Sequence, residues 1–244
     1  MIPWLTENTP FPPLALALSE PCGLLAASHE LTTAMLLNAY RQGIFPWFNP
    51  GDPVLWWSPN PRMILLPSEF KCSASLAKVL RNTYFEVRTD TVFEQIMRAC
   101  AAPRGEQSGT WIDEQIINAY CALHQQGCAH SVEIWLNNEL VGGLYGVAIG
   151  RMFYGESMFS RVSNASKAAL AHLACQLDAW QFGMIDCQMY TPHLASLGAK
   201  LIPRNEFISR LKELINYPPV DNWQFDSDCF RKLKTENPKL ASEP

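Results

Sequence analysis

The sequence predicts a mixed α/β fold in two unequal parts, and three observations carry that prediction. From residue 63 onward, segments with helical spacing of apolar residues alternate with short apolar runs of strand character. The second half reads as three successive strands, a helix, a strand and further helix. Between Ile44 and Arg62, five prolines (Pro46, Pro50, Pro53, Pro59, Pro61) and three tryptophans (Trp47, Trp56, Trp57) interrupt any regular pattern. The boundary between a small N-terminal unit (residues 1–61) and the main domain (residues 62–233) is placed near Pro61, and the polar, proline-punctuated stretch Lys234 to Pro244 is expected to be a disordered tail.

Taken in order, Thr32 to Gln42 is a helix with Leu36, Leu37 and Tyr40 on one face and Gly43 to end it. The Pro/Trp-rich stretch is expected to be a rigid loop or edge-strand region, because proline removes a ladder donor. Met63 to Leu66 is a strand, Cys72 to Arg81 a helix, Tyr84 to Thr89 a strand and Thr91 to Ala101 a helix. Trp111 to Gln126 is helical, with Ile112, Ile116, Ala119, Tyr120 and Leu123 along its stripe and Gly127 at its end. His130 to Trp135, Leu140 to Ile149 and Arg151 to Met158 are strands, the first two joined by an Asn137-Asn138 turn. Ser163-Asn164 can cap a helix from Ala165 to Phe182, closed by Gly183. A strand from Met184 to Met189, a short helix around His193 to Leu197 and a helix from Glu206 to Leu214 complete the chain.

Composition narrows the function. With 244 residues, 48% hydrophobic and 17% charged, the chain can bury a substantial core of ordinary enzyme type. No basic and apolar leader begins it and no apolar run nears the ~18 residues of a membrane span, so a cytoplasmic protein without membrane association is expected. None of the eight cysteines forms a CxxC pair, so reduced thiols are expected and no metal site. The net charge of −4 argues against a protein that coats nucleic acid, while leaving room for an RNA gripped locally.

Few constellations carry chemistry. Gly142-Gly143-Leu144-Tyr145-Gly146 lies within a strand pattern, so it reads as close backbone approach or a bulge rather than a phosphate loop. Gly155-Glu156-Ser157-Met158 begins like a nucleophile elbow, but Phe159 stands where the closing glycine belongs. The stretch Met184-Ile-Asp-Cys-Gln-Met189 is more informative. An aspartate inside an apolar strand is costly to bury without partners, and Asp186 and Gln188, at i and i+2, point to one face. Such a pair suits an incoming amine as well as it suits a purely structural role. Trp47 and Trp111 stand at element edges, where stacking could hold nucleobases.

In order along the chain, Gly43-Ile-Phe-Pro-Trp-Phe48, Leu55-Trp-Trp-Ser-Pro59, Gly109-Thr-Trp-Ile112 and Ala129-His-Ser-Val-Glu133 are followed by Leu140-Val-Gly-Gly143, Gly155-Glu-Ser-Met-Phe-Ser160 and Asn164-Ala-Ser-Lys167. Ile185-Asp-Cys-Gln188 and Ala195-Ser-Leu-Gly-Ala199 complete the set. Together these segments, spread from about residue 10 to about residue 230, resemble the leucyl/phenylalanyl-tRNA–protein transferases. The resemblance implies a small N-terminal domain beside a domain similar to the Gcn5-related acetyltransferase fold. It implies transfer of Leu, Phe and less efficiently Met from aminoacyl-tRNA to proteins with N-terminal Arg or Lys, which marks them for the bacterial N-degron pathway. It implies that Trp47 and Trp111 hold the 3′-terminal adenosine, that Asp186 and Gln188 serve the reacting amine, and that Glu156 sits beside the acceptor.

The donor ester is already activated, so no cofactor, metal or covalent intermediate is needed; positioning, oxyanion stabilisation and one proton transfer suffice. Asp186 acting through Gln188 is one route for the proton and the tRNA ribose hydroxyl another. Leu170, Leu173 and Leu177 share a helix face at i, i+3 and i+7 and, with Leu144, Phe153, Met158 and Ile185, are expected to enclose the donor side chain. Leu144, Leu173 and Leu177 stand where better-known members are expected to carry methionine and aromatics, and the helix around Lys78 and Arg81 is less basic than expected of a tRNA-contacting patch. A CoA-dependent acyltransferase would want a glycine-rich turn where this chain reads Arg161-Val-Ser-Asn164. A non-catalytic RNA-binding module would have no use for the Asp186/Gln188 pair. A monomer is expected.

Overall fold

A computed structural model describes residues 2–103 and 110–226, so the expected tail at residues 234–244 and Gly109 lie outside the described residues. The N-terminal part builds β1 (Trp4–Leu5), β2 (Leu24–Ser28), α1 (Thr33–Arg41), β3 (Phe45–Pro46) and β4 (Val54–Trp57). Thr32 caps α1 by accepting the Met35 N–H, and Gly43 takes φ +75 just beyond its end. The four strands form one sheet in the order β1-β2-β4-β3. Pro46 falls on the edge strand, where a missing donor is harmless, and the proline-free Val54–Trp57 runs inside the sheet. The expected loop therefore holds an inner strand, because its prolines flank Val54–Trp57 instead of interrupting it.

The larger part contributes β5 (Arg62–Leu65), α2 (Ala74–Asn82), β6 (Glu86–Thr89), α3 (Phe93–Ala101), α4 (Glu114–Gln125), β7 (Ala129–Leu136), β8 (Glu139–Ile149), β9 (Met152–Ser160), α5 (Ala165–Ala179), β10 (Met184–Gln188), α6 (Pro192–Ser196), β11 (Lys200–Ile202) and α7 (Arg204–Leu214). Its seven strands lie in the order β11-β5-β10-β9-β8-β7-β6. Among the described strands of this sheet only β9 and β10 pair in parallel, and the crossover this demands is α5, which packs across β7, β8 and β9. Asn137 and Asn138 take φ of 52 and 63, as the tight β7–β8 hairpin requires. Val92 offers α3 no side-chain cap; instead buried Glu133 on β7 accepts the N–H groups of Thr91 (2.7 Å) and Val92 (2.9 Å).

Several local expectations change. Asn164 stands at the N-cap of α5 but is left-handed (φ 67) and makes no capping bond; Ser160 accepts the Ser166 N–H at 3.1 Å in its place. The helix stops at Ala179, and Gln181, not Gly183, takes the positive φ. Gly183 answers a packing need, because a Cβ there would lie 2.5 Å from a Leu214 methyl. Gly142 does the same for α5, whose Ala165 Cβ would be 2.5 Å away. The short edge strand β11 follows too soon after α6 for its three residues to show a period. Six described cysteines are reduced thiols, but Cys175 is disulfide-bonded, against the expectation of reduced thiols throughout.

One apolar cluster crosses from the smaller sheet to the larger: Tyr40, Phe45 and Trp56 pack with Tyr120, Tyr154, Met184 and Phe207. The opposite face of the large sheet, with Leu144, Phe153 and Ile185, packs beneath α5. Among the described residues no helix is long and apolar enough to cross a membrane.

Candidate active site

The site lies where the large sheet comes apart. β10 pairs with β9 only over Met184–Asp186 against Met152–Tyr154, and beyond that point the strands carry no further pairing. Just past the separation β9 bulges: Tyr145 faces Ser157 and Gly146 faces Gly155, so Glu156 has no register partner on β8. A cavity of about 340 Å³ fills the opening. Leu144, Phe153, Met158, Leu170, Leu173 and Ile185 line its apolar part, while Glu156, Gln188 and His193 add polar groups. Because Leu144, Phe153 and Ile185 belong to the α5 side and Tyr40 and Tyr120, which bond Glu156, to the other, the gap joins the two faces of the sheet.

Glu156 is the electrostatic centre. Its Oε1 accepts from the Tyr40 hydroxyl at 2.7 Å and from Gln188 Nε2 at 2.9 Å, and its Oε2 accepts from the Tyr120 hydroxyl at 3.1 Å. The Tyr40 and Tyr120 hydroxyls also lie in short contact with each other, and the Tyr154 hydroxyl donates to the Tyr40 carbonyl at 2.8 Å. Burial pushes the Glu156 carboxyl up to about 7; the tyrosine hydroxyls hold it down, the Asp186 carboxylate raises it and Gln188 lowers it. Both tyrosines are held well above their usual range by burial and by the Glu156 charge.

Asp186 is fully buried and does not line the cavity. Arg62, equally buried, donates to it through Nε (2.8 Å) and Nη2 (2.6 Å), and the Gln188 backbone N–H donates to its Oδ1 at 2.9 Å. The β5–β10 register slips between Asp186 and Gln188, and Gln188 takes φ +63. The regular alternation that would aim both side chains at one face is thereby interrupted: Asp186 meets Arg62, and Gln188 meets Glu156. Leu177 is buried in the core under α5 and is not part of the cavity wall, since one more helical turn carries it past the opening.

Neither tryptophan reaches the cavity. Trp47 is 39% exposed, with its ring edge-to-face on Trp57 at 5.6 Å and its carbonyl accepting the Trp57 indole N–H at 2.6 Å. Trp111 is half-buried against the core that contains Tyr120. Sequence reasoning missed Tyr40, Tyr120 and Arg62 as parts of the site. Both tyrosines sit on the apolar stripes of their helices, where a core tyrosine looks the same, and a lone arginine opening a strand has no signature. Among the described residues no group of His, Cys, Asp or Glu side chains could hold a metal ion.

Comparison with known proteins places the chain in a family. Residues 64–212 match the model of the leucyl/phenylalanyl-tRNA protein transferase family, and residues 29–60 match that of the family's N-terminal domain. This chain belongs to that family. The leucyl/phenylalanyl-tRNA–protein transferase of Nitrosospira multiformis is 62% identical over 93% of this chain and 99% of its own length. That of Nitrosomonas europaea is 60% identical over 93% and 96%. A solved structure of L-PGS from Bacillus licheniformis aligns over 70% of this chain and 57% of that one, with a TM-score of 0.37 and 10% identity, too distant to argue from. The family's main match spans Glu156, Asp186, Gln188 and the apolar wall, and the match to its N-terminal domain spans Tyr40 and Trp47.

Proposed function

We propose that this chain is an aminoacyltransferase that moves Leu, Phe and, less efficiently, Met from aminoacyl-tRNA to the N-terminal Arg or Lys of acceptor proteins. The products enter the bacterial N-degron pathway. One observation carries the reading: a single opening in the sheet sets an apolar wall beside a carboxylate of raised pKa. An apolar donor side chain fits the first and a cationic acceptor residue fits the second.

In this reading Leu144, Phe153, Met158, Leu170, Leu173 and Ile185 receive the donor side chain, with Leu177 packed behind them. Trp47 and Trp111 stack on the 3′-terminal adenosine, and Glu156 faces the acceptor cation. The acceptor amine has a reference pKa near ~7.7–8.0, so a useful fraction is neutral at physiological pH. Gln188 donates through Nε2 to Glu156, which leaves its amide oxygen to accept an N–H of that amine. The amine attacks the ester carbonyl, the tetrahedral intermediate collapses, and the ribose oxygen leaves with a proton. Asp186 acts through Gln188, whose backbone N–H it binds. No cofactor is needed, because the ester supplies the driving force. The reading includes a small N-terminal domain over residues 1–61, an acetyltransferase-like domain over 62–233, a cytoplasmic location and a monomer.

Single-turnover transfer of labelled leucine from leucyl-tRNA to peptides beginning Arg, Lys or Ala tests the proposal. Transfer to Arg and Lys but not Ala is expected. No transfer from either leucyl- or phenylalanyl-tRNA overturns it.

A further inference from the structure

The geometry points to Arg62 as a positioning residue for transfer: by occupying the Asp186 carboxylate it sets the turn that holds Gln188 against Glu156. The inference rests on the transferase reading above. Arg62 begins β5 and has no exposed surface, although an arginine is rarely buried without tight pairing. Its guanidinium is held between the rings of Phe45 and Phe207, 4.7 Å from each centroid. Phe45 comes from the smaller sheet and Phe207 from α7, so elements from both ends of the chain fix this one cation. From there its fork grips both Asp186 oxygens.

With Oδ2 taken by Arg62 Nη2 and Oδ1 shared between Arg62 Nε and the Gln188 N–H, the carboxylate faces no solvent and no cavity. An acceptor so occupied is a poor recipient for a proton from the amine. It is well suited to stabilising the left-handed backbone of Gln188, a conformation that a side chain other than glycine adopts only at a cost. The path runs Phe45/Phe207, Arg62, Asp186, Gln188, Glu156, and only its last two members line the cavity. Arg62 therefore acts through others and touches neither substrate.

The test exploits a property of buried ion pairs. Replacing both partners by apolar residues of similar volume often leaves stability unchanged, whereas removing one partner does not. In the full-length protein, R62M/D186L is expected to unfold cooperatively near the wild-type midpoint. It should bind leucyl-tRNA within about threefold of wild type, yet transfer leucine at least about 30-fold more slowly at saturation. In R62K, which keeps the Asp186 acceptor, hydrogen exchange at the Gln188 backbone N–H should accelerate by at least about tenfold, a readout that does not depend on activity. A folded R62M/D186L that transfers within about threefold of wild type, or an R62K that keeps the Gln188 N–H fully protected, overturns the inference. If the double variant does not fold, R62K keeps the charge but loses the fork, and a wild-type rate in R62K is equally fatal. A wild-type protein that transfers nothing sinks the transferase reading instead, and the exchange measurement still decides the role of Arg62.

Discussion

Replacing Glu156 by glutamine should change how stability depends on pH, and the size of the change follows from the site. Burial lifts the carboxyl from its ordinary 4.5 to about 7. The folded protein therefore binds a proton that the unfolded chain has released between those values. A group whose pKa is raised on folding stabilises fully below the unfolded value, and that contribution is lost as pH rises through the folded one. At about 1.4 kcal/mol per pH unit, and allowing for the partial exposure of Glu156, the wild type should lose about 2–3 kcal/mol between pH 5 and pH 8 from this group alone. E156Q has no such proton to lose. Urea denaturation of both proteins at pH 5, 6, 7 and 8 should show the wild-type midpoint falling by about 1 M relative to E156Q across the series. A constant difference between the two proteins over that range would refute the reasoning. The same titration predicts that acceptor binding weakens as pH falls below 7, because the carboxylate that faces the cation becomes neutral. The wild-type KM for an N-terminal Arg peptide should rise by about tenfold from pH 8 to pH 6, relative to E156Q.

Other predictions concern different parts of the site. Trp47→Ala and Trp111→Ala should each weaken leucyl-tRNA binding by about 1–3 kcal/mol in filter-binding titrations, leaving the saturated single-turnover rate near wild type. Binding should also fall steeply with added salt if phosphate contacts contribute. Leu173→Phe should shrink the cavity and lower phenylalanine transfer relative to leucine by about tenfold in competition assays with the two charged tRNAs. Gly142→Ala should cost about 1–3 kcal/mol in thermal or urea unfolding, because its new methyl meets the Ala165 Cβ at the start of α5. A neutral result there would mean that the helix shifts without penalty.

Most of the fold was legible because its elements announce themselves locally. The helical stripe of α4, the Asn137-Asn138 hairpin and the strand runs from β7 to β9 depend on neighbours a few residues apart, and they appear where the pattern puts them. The short strands β1 and β11 did not, since two or three residues are too few to establish a period. Much of the apolar wall was legible too: Leu170 and Leu173 share a helix face, and both line the cavity. Leu177 continues the same stripe but lies in the core, because a stripe says which face is buried and not where a gap in the sheet begins and ends.

By itself the sequence determined the family, the alternation of helices and strands, and the presence of Asp186, Glu156 and Gln188 among apolar neighbours. Tertiary structure alone decided how those three are arranged. Arg62 lies 124 positions from Asp186, and Tyr40 lies 116 from Glu156. No local pattern links residues so far apart; they meet because β5, β9 and β10 are neighbours in one sheet and α1 packs against it. The raised pKa of Glu156 has the same origin. A carboxylate acquires it only when several elements together remove water from around it.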